Sequence, residues 1–261
     1  MINFFRKIRY DLMEKNKTGK YFKYAIGEII LVVVGILIAL QINNWNETKK
    51  EQAITNKYLS GFVSDLKKDR AQLDNLINVR KKQRASAKAL HNMIETNDYV
   101  LDSFYGHFYY LFPSYRFIPN SNTLEEVLNS SHLSLITNEE IKNGLLDLRS
   151  SYQYIKFIEE HIYEDKSVYS YSALTMNHIE LNGLFIADTG FSLEKREESF
   201  SKSKDVEIYK KDADYFMKDR HFKSFVNLLD FNLTLFIPLV EKARNDCQSI
   251  ISLIEEDMKN D

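Results

Sequence analysis

Residues Tyr24–Trp45 read YAIGEIILVVVGILIALQINNW. From Ile29 to Leu40 every residue is apolar except the small Gly35. As one helix the stretch is about 33 Å long at 1.5 Å per residue. That matches a bilayer hydrocarbon core of about 30 Å. Tyr21, Phe22 and Tyr24 flank one end and Trp45 the other, the pattern of an aromatic belt. Arg6, Lys7, Arg9, Lys15, Lys17, Lys20 and Lys23 precede the stretch, whereas Lys49, Lys50 and Lys57 follow it closely. By the positive-inside rule the N-terminus is cytoplasmic and residues 46–261 lie across the membrane, in the periplasm. Ala39-Leu40-Gln41 is no small-residue cleavage site, so the stretch reads as an uncleaved signal-anchor of a single-pass protein in the inner (cytoplasmic) membrane. The expected organisation is a basic cytoplasmic segment over 1–23, a transmembrane helix over 24–45, and an extracytoplasmic domain over 46–261. Within the first segment, Phe5, Ile8 and Leu12 share a face, as in a short helix lying on anionic lipid.

Glu28, Gly35 and Ala39 fall on one face at helical spacing. Gly35-x-x-x-Ala39 is a small-xxx-small pair that allows close helix approach. Glu28 either snorkels to the headgroups or hydrogen-bonds across a helix pair. These three residues are the candidate helix-association face. The partners they suggest are membrane lipid and either a homodimer or a second membrane protein.

The segment MINFFRKIRYDLMEKNKTGKYFKYAIGEIILVVVGILIALQINNWNE (1–47) resembles the N-terminal signature of an uncharacterised Bacteroidetes single-pass membrane protein family, a domain of unknown function. The resemblance continues more loosely through TLEEVLNSSHLSLITNEEIKNGLLDL (Thr123–Leu148). It implies an envelope-anchored helical protein and carries no activity onto any residue.

Three prolines and eight glycines are few breakers for 261 residues, which favours long helices. A net charge of −2 excludes a broad basic surface for nucleic acid. The lone cysteine, Cys247, excludes an internal disulfide. A helix continuing to about Glu95 carries the seam Leu59, Phe62, Leu66, Asp69, Leu73, Leu76, Arg80, Gln83, Ala87, Leu90 and Ile94, with three polar interruptions. A second seam reads Ile141, Leu145, Leu148, Tyr152, Ile155, Ile158, Ile162 and Tyr169, then Ala173 and Met176. A third runs from Phe222 through Val226, Leu229, Leu233, Phe236, Val240, Ala243, Cys247 and Ile250 to Ile254. Capping boxes at Thr123–Glu126 and Thr137–Glu140 predict helix starts there. Residues 178–217 lose the helical period and read as a long irregular connection, with short strands near Leu184–Ile186 and Val206–Tyr209. The predicted fold is all-α, a transmembrane helix followed by an elongated antiparallel helical bundle with coiled-coil-like seams. The aromatic stretch Phe104–Phe117 either caps the bundle's open end or lines a ligand pocket.

No catalytic set emerges. Asp188-Thr189-Gly190 is similar to the loop of aspartic proteases, but a lone copy needs a second carboxylate and a β-barrel. Asp and Gly there suit a turn. His161 and Glu164 share a helix face, too few ligands for a metal. The sequence therefore points to no catalytic residue, no cofactor and no metal. Two functions are expected from it. One is a non-enzymatic envelope scaffold or accessory interaction subunit. The other is a periplasmic small-ligand sensory bundle signalling through a partner.

Overall fold

The computed structural model describes residues 18–112, 115–174, 200–204 and 206–260. Those residues form helices, 3-10 turns and loops, with no strand among them. The helices are α1 (Thr18–Thr96), α2 (Leu101–Phe108), α3 (Asn122–Asn129), α4 (Glu139–Leu174), α5 (Val206–Lys218) and α6 (Arg220–Asn260). The chain divides into two compact units at Lys57/Tyr58, within α1.

In the first unit, every described side chain from Ile29 to Ala53 is exposed. This part of α1 is long and apolar enough to cross a membrane. The expected interfacial helix over 2–15 lies outside the described residues.

In the second unit, most residues of the repeats read from the sequence form the core, whereas Ile94, Tyr152 and Ile158 are half-buried, and the Ala173 side chain and Met176 lie outside the described residues. From α1, Leu59, Leu66, Leu73, Leu76 and Leu90 are buried, and so are the three polar interruptions Asp69, Arg80 and Gln83. From α6, every residue of the third seam from Phe222 to Ile254 is buried. Gly144 on α4 faces α6 closely enough that a Cβ would meet Ile250 Cγ1 at 3.1 Å. Pro238 lies inside α6, where its missing N–H and ring would ordinarily break a helix. Its side chain is on the exposed face.

Ion pairs order the contacts. Lys67–Glu255, Asp74–Arg244, Arg84–Asp230 and Glu95–Lys223 join α1 to α6, with numbers rising along one helix as they fall along the other. Between α1 and α4 the numbers rise together: Asp69 faces Tyr152 and Arg80 faces Glu159. The chain makes this possible by running back along α1 between Asn97 and Asn138. His107 meets Ser86, Tyr115 meets Arg80, Asn120 meets Asp69, Thr123 meets Asp65, and His132 meets Tyr58.

Three local expectations are corrected. Thr123 does not cap α3, because its hydroxyl donates to Asp65 at 2.6 Å and the helix begins at Asn122. Asn138, not Thr137, caps α4: its Oδ1 accepts the backbone N–H groups of Glu140 at 3.1 Å and Ile141 at 3.3 Å. Val206–Tyr209 is helix rather than strand, since α5 buries Ala213, Phe216 and Met217 on one face. The irregular connection expected over 178–217 is thus helical at its C-terminal end. Leu184–Ile186 and Asp188 lie outside the described residues.

Candidate functional site

Phe112 and Tyr115–Ser121 belong to no helix, although the segment passes against buried residues of α1 and α4. Backbone groups there need partners, because an unpaired polar group away from water costs about 1–3 kcal/mol. Side chains supply them. Lys166 Nζ donates to the Phe112 carbonyl at 2.7 Å. Arg80 Nη2 donates to the Tyr115 carbonyl at 2.8 Å. Glu159 Oε2 accepts the Phe117 N–H at 3.1 Å. Asp69 Oδ1 accepts both the backbone and side-chain N–H of Asn120, each at 2.7 Å. Asp65 accepts the Thr123 N–H at 3.2 Å. Two of the three polar interruptions of the α1 seam, Asp69 and Arg80, therefore hold a non-helical return segment.

Arg80 and Glu159 form the centre of this layer. Arg80 Nη2 meets Glu159 Oε1 at 3.3 Å, and both side chains are almost fully buried, 5% and 3% exposed. Arg80 Nη1 also donates to Gln83 at 2.8 Å, while its buried Nε has no hydrogen-bond partner. Burial raises the Glu159 carboxyl above its ordinary range, against the opposing pull of the Phe117 N–H and Arg80. Burial likewise lowers the Arg80 guanidinium, opposed by Glu159. Beside the pair is a recess of about 210 Å³, open mouth included, lined also by Tyr115, Arg116, Tyr163 and Lys166. Arg116 stacks over the Tyr163 ring, 4.7 Å from its centroid.

Sequence reasoning missed Glu159 and Lys166. The seam spacing contains them: Ile155, Glu159, Ile162, Lys166 and Tyr169 alternate four and three without a break. Both are buried. The charge of their side chains hid them, and Ile158 stood in for Glu159.

The aromatic stretch has become part of the core. Phe104, Tyr105, Phe108 and Phe117 are buried. Phe108 packs on Phe216 at 4.9 Å, and Tyr105 stacks on Phe200 at 4.7 Å. The Tyr105 hydroxyl donates to the Tyr209 carbonyl at 2.9 Å. Here the rings fill the space between α2, α5 and α6.

The association-face residues lie together on α1, apart from this layer in sequence. Ala39 is exposed, Glu28 half-buried, and a Cβ on Gly35 would meet nothing within 4 Å. His161 packs its ring edge-on to Phe157 at 4.9 Å. Among the described residues no three of His, Cys, Asp or Glu gather as metal ligands. No curated protein and no solved structure matches this chain. A family model described as a family of unknown function, DUF6090, matches residues 28–184, which run from Glu28 in the exposed apolar helix past the end of α4. The chain belongs to that family.

Proposed function

We propose that this chain is a single-pass membrane protein, not an enzyme, that works by contact as an envelope scaffold or accessory subunit. The observation that carries the reading is the unbroken exposure of Ile29–Leu40 on α1, an apolar surface that water would strongly disfavour. A bilayer, with or without a partner helix, removes that cost. In this reading the N-terminus is cytoplasmic and residues 46–261 are periplasmic, following the basic residues before the span. The periplasmic part is an elongated bundle in which α6 runs antiparallel to α1 and α4. Within the membrane, Glu28, Gly35 and Ala39 form the helix-association face.

Crosslinking at natural expression in the native host, followed by purification and mass spectrometry, tests this. Recovery of one dominant membrane partner, or of a second copy, is expected, and Gly35→Leu is expected to reduce it. A monomer with no crosslinked neighbour overturns it.

A second reading, a sensory bundle for a small ligand, is favoured by the cation-lined recess at Arg80 and Lys166. In this reading the protein signals through a partner.

A further inference from the structure

On the side of α4 away from Glu159, α4 and α6 share an exposed apolar face. Asn232 Nδ2 donates to Asp165 Oδ2 at 2.9 Å and ties the two helices together there. On α6, Leu228 and Leu235 lie four residues before Asn232 and three after it, so they flank this bridge, with Phe231 beside them. On α4, His161 lies one turn before Asp165, and Phe157 and Tyr154 continue the same face. The α4 rings form a ladder. Tyr154 stacks with Phe157 at 6.3 Å, and Phe157 meets His161 edge-on at 4.9 Å.

The size of the face is informative. Tyr154 and Phe157 are each 52% exposed, Phe231 60%, Leu228 42% and Leu235 57%. At about 200 Å² for a fully accessible aromatic side chain, these fractions leave roughly 500 Å² of apolar surface in water. A standard interface is about 800 Å² per partner and about 60% non-polar, so its apolar share on one side is the same size.

Charge decides what covers it. From Ser224 to Leu239, α6 carries one charged residue, Asp230, and Arg84 on α1 holds it at 3.0 Å. In an isologous contact the same patch meets itself, so an exposed charge would lie near its own like. A face without exposed charge escapes that repulsion. A different protein is ordinarily selected by complementary charge, which this stretch of α6 does not offer. A bilayer surface asks for Lys or Arg beside the apolar residues, and Ser224, Asn227 and Thr234 stand there instead.

We propose that a second copy of this chain covers this face, with Phe157 and Phe231 as its anchors. The inference rests on the reading of a protein that works by contact, and it names the partner. It does not depend on Glu28, Gly35 and Ala39, which lie elsewhere on the chain.

The test uses the full chain in neutral detergent micelles, its mass read by sedimentation over a range of concentrations. A monomer–dimer equilibrium is expected. Phe231→Asp with Leu235→Asp, both at exposed positions, weakens it about tenfold or more, with the circular dichroism spectrum unchanged. Ile118→Asp, at an exposed apolar residue outside the face, leaves it unaltered. The photocrosslinker p-benzoylphenylalanine in place of Phe157 is expected to join two copies in the native host. A dimer lost in Gly35→Leu but kept in the double Asp variant is held by the span alone, which overturns the proposal and leaves the contact reading standing. A crosslink to a different protein does the same. A monomer with no crosslinked neighbour overturns both.

Discussion

Arg80 and Glu159 meet at 3.3 Å inside the bundle, and the same two side chains grip neighbouring points of one peptide stretch. Arg80 holds the Tyr115 carbonyl at 2.8 Å, and Glu159 holds the Phe117 N–H at 3.1 Å. The pair is thus a clamp on backbone rather than an isolated ion pair.

This predicts an unusual double-mutant result. Arg80→Met or Glu159→Leu alone leaves a buried charge unpaired and costs about 3–5 kcal/mol. For an ordinary buried pair, replacing both partners by apolar residues recovers most of that loss. Here Arg80→Met with Glu159→Leu also orphans two backbone groups, at about 1–3 kcal/mol each. Urea denaturation followed by circular dichroism should therefore find the double variant still clearly destabilised. A double variant as stable as the parent would mean that the return segment does not rely on the clamp.

Cys247 is fully buried on α6, and its Sγ lies 3.0 Å from the Tyr152 hydroxyl. Burial pushes its thiol up to about 11. Only about one thiol in a thousand is then ionised at pH 8, and access is blocked as well. Maleimide labelling at pH 8 should be negligible in the folded protein and rapid in urea. Fast labelling of the native chain would contradict the packing of α4 against α6.

His107 is partly buried beside Ser86, with Nδ1 3.3 Å from the hydroxyl. Burial lowers its imidazole below the ordinary 6.5. The unfolded chain therefore binds this proton more readily than the folded one. The sign follows: His107 contributes rising stability as pH climbs from its depressed value to 6.5, and that contribution is complete above 6.5. His107→Gln keeps a partner for Ser86 and removes the titration. Denaturation midpoints from pH 5 to 8 should show a shallower acid-side slope in the variant. Identical slopes would place no folded-state shift on His107.

Gly61 sits on α1 where a Cβ would come within 2.9 Å of both Thr123 Oγ1 and Cγ2. Thr123 is not free to move aside, because Asp65 holds its hydroxyl at 2.6 Å and its N–H at 3.2 Å. Gly61→Val should destabilise the second unit by about 1–3 kcal/mol through overpacking. An unchanged thermal midpoint would show that α3 can shift away from α1 at no cost.

Much of this molecule was legible beforehand. The apolar run Ile29–Leu40 announced its helix, and the seam on α6 announced its buried face without an error from Phe222 to Ile254. The candidate recess was not legible, because its residues come from α1, α4 and a loop far apart in the chain. A charged residue in a heptad position reads as an interruption until its partner is known. Asp69 and Arg80 were accepted as such, while Glu159 and Lys166 were passed over.

Periodicity and length alone fixed the all-α class, the apolar N-terminal helix and the α6 core, because those depend on local spacing of apolar side chains. The pairing order of the helices and the purpose of the buried charges needed the tertiary structure. The stretch from Asn97 to Asn138 runs back along α1, and its non-helical part, Phe112 and Tyr115–Ser121, presents peptide groups against the bundle. Only packing decides which side chains must satisfy them. Their desolvation cost is what places Asp69, Arg80, Glu159 and Lys166 where spacing alone would have asked for leucine.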